Sequence, residues 1–463
     1  MLFTASRRPL YARQLDRNAA APRRLYRLAI AIAAFAALLA ITSSIALASP
    51  RQWQPLLLRG IQLPHLLNAP VSRIEVLAVH QGKLEPIPFQ VDSVLVGGMF
   101  GLPQGPVPTT GGLEQAVGPD DEMSMMMLDL GERITNAAEL PDNALEVAVA
   151  DLLGGAERYA YIAVVKNPRL SPVRYVDYDP EHEVIETGHY RLGFKRQLPD
   201  DFRVQNHKGE PSRNLISGFE LRGTVTVLNL LRFHLAEHDV DSRLLAYRVG
   251  PVRVIRRVGH RIRVFIGIHS PEVSTVEFFY RDFAQAPFTM RLPLRKLFRD
   301  IEGRIAMDFV DLRGYSLLAS GLEKPVQIGD GTAVAVGDNT SADWMALHGD
   351  GRLMLQTFAS SPELSLIKRR LYYHAEPGSA QSAPLAAGVG IETDGWQRLS
   401  GGSHRFNPLL ISVPEGYGAG CAIAEASIAP VVTVRTVAER NLAPYEARSG
   451  ATVSPAPMTE DAK

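Results

Sequence analysis

Hydrophobic positions along this chain recur with a period of two far more often than with a period near four. From Val71 to His80, Ile74, Val76 and Ala78 alternate against Arg73, Glu75 and Leu77, the signature of a strand with one inward face. Gln81-Gly82-Lys83 supplies a turn and Leu84–Val96 a second run, so the pair is predicted to form a hairpin. Pro86 and Pro88 lack the N–H a sheet interior needs, which assigns their strand to an edge or an irregular stretch. Residues 97–118 are rich in Gly and Pro and show no periodicity. A loop that long inside a domain is either functional or mobile. Ala144–Leu152 and Glu157–Val165 predict a second hairpin around Gly154-Gly155. Beyond a linker at Asn167–Pro172, β-branched and aromatic runs follow one another from Tyr190 to Tyr315, separated by Gly, Pro or His-Ser turns. Helical periodicity is confined to Ser361–His374. The pattern predicts a mainly β chain of antiparallel sandwich architecture. It divides into a smaller N-terminal sandwich (residues 49–166), a large antiparallel β domain (167–442) and a Pro-, Ser- and Ala-rich tail (443–463) expected to be disordered.

The first 48 residues follow a different rule. Arg7, Arg8, Arg13, Arg17, Arg23, Arg24 and Arg27 face a single acid, Asp16, and Leu28–Ala48 carries no charge. The segment ends on Ala46-Leu47-Ala48 before Ser49-Pro50. A basic start, an apolar stretch and a small-x-small end predict a secretory signal peptide, 1–48, cleaved after Ala48. A retained inner-membrane anchor is the alternative, because about 20 apolar residues span a bilayer. Either way the body of the chain is expected in the periplasm or outside the cell.

Composition narrows the functions. Lys plus Arg and Asp plus Glu number 49 each, giving zero formal net charge, which argues against a nucleic-acid partner. The single cysteine, Cys421, allows neither an internal disulfide nor a thiolate metal cluster, and no organic cofactor motif is present.

Two stretches carry a resemblance. Ile87–Val94, with its Pro-Phe-Gln-x-Asp, followed by a Gly-rich gap and Asp120–Arg133, resembles a pattern in exported bacterial proteins of unknown function, where such a segment precedes Asp-Glu and an apolar strand. In that pattern an Asp-rich, calcium-type loop often precedes the Asp-Glu. Here Gly118-Pro119 stands in its place. Gly250–Val258 is similar to a strand of galactose-mutarotase-like proteins, which implies a supersandwich-like larger domain and brings no catalytic set with it.

Five features invite a chemical reading. Met123, Met125, Met126 and Met127 offer thioethers suited to copper(I), but a compliant buried strand needs the same residues. Asp120, Asp121 and Glu122 are candidate ligands for a hard cation such as calcium, or the solvated lip of that strand. His234–His238 matches the His-x-x-Glu-His of inverted zinc proteases, yet in a strand the two histidines stand about 13 Å apart. Between Val252 and Val264, Arg253, Arg257, Arg261 and Arg263 are predicted to line one face of a hairpin turning at Gly259, presenting guanidinium forks to carboxylates, sulfates or phosphates. Pairing with Glu277 and Asp282 is the plainer role for them. Phe278, Phe279, Tyr280, Trp344, Tyr372, Tyr373 and Trp396 are sugar-stacking candidates or core.

These features favour an exported cell-envelope protein that binds an anionic or carbohydrate ligand without transforming it, with Arg253, Arg257, Arg261 and Arg263 as the ligand surface. A carbohydrate-active enzyme of mutarotase-like fold and a periplasmic metal-binding protein are the alternatives. Contact with a membrane is expected only through an uncleaved N-terminal segment.

Overall fold

A computed structural model describes residues 51–437 except 110–115, 142, 207, 228–229, 266–267, 293–297, 329–340, 361, 376–384, 400–401, 415–417 and 428. The signal peptide and the C-terminal tail expected above lie outside the described residues.

The chain is mainly β and its strand pairings within sheets are antiparallel. Near the N-terminus two sheets face each other. One has three strands, in the order Pro55–Arg59, Glu122–Met126, Phe89–Asp92. The other has five: Lys83–Pro86, Ile74–His80, Arg158–Val164, Leu145–Ala150 and Val431–Thr436. The second predicted hairpin is present; of the first, only Lys83–Pro86 pairs with Ile74–His80, at the sheet edge, and the rest of the run Leu84–Val96 leaves it, Phe89–Asp92 joining the other sheet. Residues 55–164 supply every strand of these two layers but one, since Val431–Thr436 pairs with Leu145–Ala150 from the far end of the chain. The core between the layers takes Leu56, Leu58, Ile74, Val76, Met123, Met125, Val147 and Ile162. Met125 sits between Leu56 and Phe89 in register and is fully buried.

The remaining chain builds an 11-stranded sheet. Its first edge strand, Val240–Val249, is followed by Val254–Phe265, Val273–Phe279, Phe283–Gln285 and Gly402–Pro414. One face of this long sheet meets two others across a shared core of Val254, Phe279, Leu317, Met354, Phe309 and Ile391. These are a four-stranded sheet spanning Val176–Val204 and a five-stranded sheet that includes Ile216–Val227, Leu231–Ala236 and Phe298–Phe309. The opposite face packs Ile255, Phe278 and Tyr280 against Trp53, Met126 and Ala422 of the helix Ala419–Ser427. The edge strand is not left open. The loop after Met99–Phe100 pairs with it through Gln104 and Tyr247 (N–H to O, 3.2 and 2.8 Å) and Val107 N–H to Leu245 O (2.7 Å). Covering an edge this way blocks strand addition.

Three sequence expectations are corrected. Val254–Phe265 is one continuous strand, so the hairpin at Gly259 does not form. Gly259 lies opposite Arg243 and Ser274. A Cβ there would fall 2.9 Å from the Glu272 carboxyl carbon, so this glycine makes room for a side chain rather than a turn. Ser361–His374 is not an α-helix. A short 3-10 turn, Pro362–Leu366, leads into the strand Lys368–Ala375, which is held by its pairing with Ala387–Asp394. Conversely, the Ala-rich segment Ala419–Ser427 is helical. Its nine residues are too few to show a period along the sequence.

Candidate functional site

The two stretches that carried the resemblance meet in space around Arg253. Its backbone N–H donates to Gln90 Oε1 at 3.1 Å, and Val252 N–H to the same oxygen at 3.3 Å. Gly250 allows this approach, because a Cβ there would lie 1.9 Å from Gln90 Oε1. The Arg253 guanidinium donates to Asp92 (2.8 Å), Glu122 (2.7 Å) and the Tyr280 hydroxyl (2.9 Å), and the Phe100 and Phe278 rings flank it at 5.3 and 5.2 Å. Arg248 adds a second cation, 2.7 Å from Asp92. Arg253 is 1% exposed and Asp92 not at all. The cluster ties the three-stranded sheet to the long sheet and is closed to a ligand.

The rest of the ladder divides. Arg257 is half-buried and donates to Val107 O at 2.8 Å, fastening the loop that covers the sheet edge. Arg261 and Arg263 are exposed, and each meets a carboxylate: Glu272 at 3.3 Å, shared with Arg243, and Asp239 at 2.9 Å. Asp241 lies opposite Arg261 in register. Three exposed guanidiniums therefore sit among three carboxylates. Arg256, on the other face of the same strand, is fully buried. It is paired with Glu183 at 3.1 Å and Glu277 at 3.5 Å and lies 4.0 Å over the Phe194 ring. Burial pushes the Glu277 carboxyl up. Glu277 is thus an arginine partner, as the plainer reading held, but of Arg256. Asp282 serves another site.

The acidic run separates as well. Asp120 is exposed and pairs with Arg59. Asp121 is buried and accepts from Val94 N–H (3.0 Å) and Gly118 N–H (2.7 Å). Glu122 goes to Arg253. Among the described residues, no group of three or more His, Cys, Asp or Glu side chains is placed to hold a metal ion. His234 lies in the strand Leu231–Ala236 and His238 in the 3-10 turn Glu237–Asp239, so the zinc-protease spacing has no helix to act on.

A partly open polar array stands elsewhere, where the end of the methionine strand meets a turn of the long sheet. The strand runs into the 3-10 turn Met127–Asp129. The Tyr175 hydroxyl donates to Asp129 Oδ1. The Arg281 guanidinium lies 5.9 Å over the Tyr175 ring and donates to His189 Nε2 at 3.1 Å. A guanidinium can only donate, so in this arrangement the imidazole proton sits on Nδ1, which bonds the buried Asp282. The other Asp282 oxygen is 3.8 Å from Arg281. Arg281 is 26% and His189 21% exposed, so both reach solvent from a fixed base. Asp129 is 8% exposed, its Oδ2 is sealed without a partner, and burial lifts its pKa to about 6. Burial, with Asp129 beside it, also pushes the Tyr175 hydroxyl up. Sequence reading missed this array. Tyr175, His189 and Arg281 share no spacing, and Asp129 hid behind the methionines.

No protein-family model and no curated protein matches the chain. Among solved structures it is similar to a protein in glycosyl hydrolase family 38 from Enterococcus faecalis, at 9% identity and a TM-score of 0.45 over 88% of this chain. The chain spans 47% of that protein's length. It is also similar to a GalM/aldose epimerase homologue from C. elegans, at 8% identity and a TM-score of 0.30, covering 51% of this chain and 98% of that one. With TM-scores below 0.5, neither carries an argument about function, which has to come from the side chains.

Proposed function

We propose that this is an exported protein of the bacterial cell envelope that binds an acidic carbohydrate, without transforming it, at the surface of Tyr175, His189 and Arg281. The observation that carries this reading is Arg281. It is part-exposed and held by His189 and Asp282, and a guanidinium so held keeps further N–H donors for a ligand. An arginine fork matches the carboxylate of an acidic sugar with two parallel hydrogen bonds, and a pre-oriented side chain loses less freedom on binding. Among the ladder residues, Arg253 is enclosed and Arg257, Arg261 and Arg263 already have oxygen partners. Binding is favoured over catalysis because Asp129, whose pKa burial lifts to about 6, is sealed and spends its open bond on Tyr175. Asp129 is therefore a positioning residue.

Export rests on the Arg-rich start and Ala46-Leu47-Ala48. Arg51, three residues later, is fully buried against Asp151 (2.8 Å) and the Glu425 carbonyl (2.8 Å), so a chain cut before Ser49 keeps this anchorage. Mass spectrometry from the native host should find Ser49 as the first residue. A membrane-bound chain starting at Met1 would reject cleavage. For binding, a glycan array should show uronic-acid oligosaccharides retained by the native protein and lost by Arg281→Gln while that variant stays folded at the assay temperature. No acidic glycan retained, or equal retention by the variant, overturns the reading.

A further inference from the structure

Four arginines are buried among the described residues: Arg51, Arg253, Arg256 and Arg352. Three of them meet carboxylates. Arg51 pairs with Asp151, Arg253 with Asp92 and Glu122, and Arg256 with Glu183 and Glu277. Arg352 forms no ion pair among the described residues. It is 4% exposed and donates to the Ser412 carbonyl at 2.8 Å and to the Ser412 hydroxyl at 3.3 and 3.4 Å. Those bonds occupy donors and leave the charge uncompensated, which an enclosed guanidinium bears at a cost.

The register brings this charge to the Arg281 site. In the long sheet, Gly402–Pro414 runs between Phe283–Gln285 and Arg352–Ser360. Ser412, on that middle strand, donates its N–H to the Asp282 backbone O at 2.8 Å and accepts from Arg352 on its carbonyl. Burial lowers the Arg352 pKa, while the Asp282 charge raises it and the Arg281 charge lowers it. Asp282 therefore answers to His189, Arg281 and Arg352 together. Its approach to Arg281 is long, 3.8 Å against 2.6 Å between Asp92 and Arg253. Asp129, the other acid of the array, keeps its proton below about pH 6, so one carboxylate then faces two guanidiniums. We infer that Arg352 is a positioning residue of the Arg281 site: it competes with Arg281 for Asp282, and so leaves Arg281 with an unneutralised charge for an acidic ligand that Arg352 itself does not touch. The identity of that ligand rests on the carbohydrate reading; the shared carboxylate does not.

The test reads two anions on the purified protein below pH 6, where Asp129 is neutral. A uronic-acid oligosaccharide is followed by calorimetry. Inorganic sulfate replaces chloride at constant ionic strength, at millimolar levels too dilute for general salt stabilisation, and is followed by the rise in melting temperature. The native protein should respond to both. Arg352→Gln keeps a donor for the Ser412 carbonyl and removes the charge. It should weaken oligosaccharide binding by about fivefold or more, shrink the sulfate shift and flatten the salt dependence of binding. Arg352→Lys restores the charge and should recover most of both responses, which a residue serving packing alone would not do. Arg352→Met repeats the neutral arm should Arg352→Gln be unfolded at the assay temperature. Native-like responses in a neutral variant, or an Arg352→Lys as weak as Arg352→Gln, overturn the inference. A native protein that responds to sulfate and binds no uronic acid overturns the carbohydrate reading alone, and the sulfate comparison then decides this inference. A native protein that responds to neither overturns both.

Discussion

Asp129 offers the sharpest single perturbation. Burial raises its pKa from the ordinary 3.8 to about 6, and each tenfold gain in proton affinity corresponds to about 1.4 kcal/mol. Well below pH 4 both folded and unfolded chains hold the proton, and the carboxyl contributes nothing. Between pH 4 and 6 the unfolded chain releases its proton while the folded chain keeps it, so this group makes stability fall as pH rises. Above pH 6 the folded chain carries a buried charge at full cost. Linkage puts that cost at about 1 kcal/mol at pH 4.5 and about 3 kcal/mol at pH 8. Asp129→Asn keeps an acceptor for the Tyr175 hydroxyl and removes the titration. Relative to the native protein, the variant should therefore gain about 2 kcal/mol between pH 4.5 and pH 8, and any fixed penalty of the amide cancels in that difference. Urea unfolding of both proteins at the two pH values measures it. A gap that does not change with pH, or one that shrinks as pH rises, refutes the burial argument.

Arg253→Gln should cost about 3–5 kcal/mol in urea unfolding, because it strips a partner from the wholly buried Asp92. Met125→Ala should cost about 2–4 kcal/mol, since Met125 is fully enclosed between Leu56 and Phe89. Added copper(I) should leave the native melting temperature unmoved, because the buried Met123, Met125 and Met127 are part of the N-terminal core.

Strand positions were legible from the run of β-branched and alternating residues, although the strands so found are buried on both faces, with Glu75 and Glu146 enclosed as well. Ile74–His80, Leu145–Ala150 and Arg158–Val164 sit where alternation placed them, and the methionine strand is core. The fate of the arginines was not legible. An arginine in a strand reads as polar-face whatever covers that face, and the long sheet is covered on both sides. Arg253 and Arg256 project to opposite faces, and each is received by acids far away in sequence. Asp92 lies 161 residues from Arg253, and Glu183 lies 73 from Arg256. The candidate site was hidden for the same reason, since His189 and Asp282 are 93 residues apart and Tyr175 and Asp129 are 46 apart. Gly259 misled because a glycine between apolar runs signals a turn, whereas here it clears space for Glu272.

Hydrogen exchange with and without a uronic-acid oligosaccharide tests the central claim most directly. It reads where along the chain a ligand sits, with no mutation. Slowed exchange is expected only in peptides containing Tyr175, His189 and Arg281, with none over Arg257–Arg263. Protection over Arg257–Arg263 in their place, or no protection at any peptide, contradicts it.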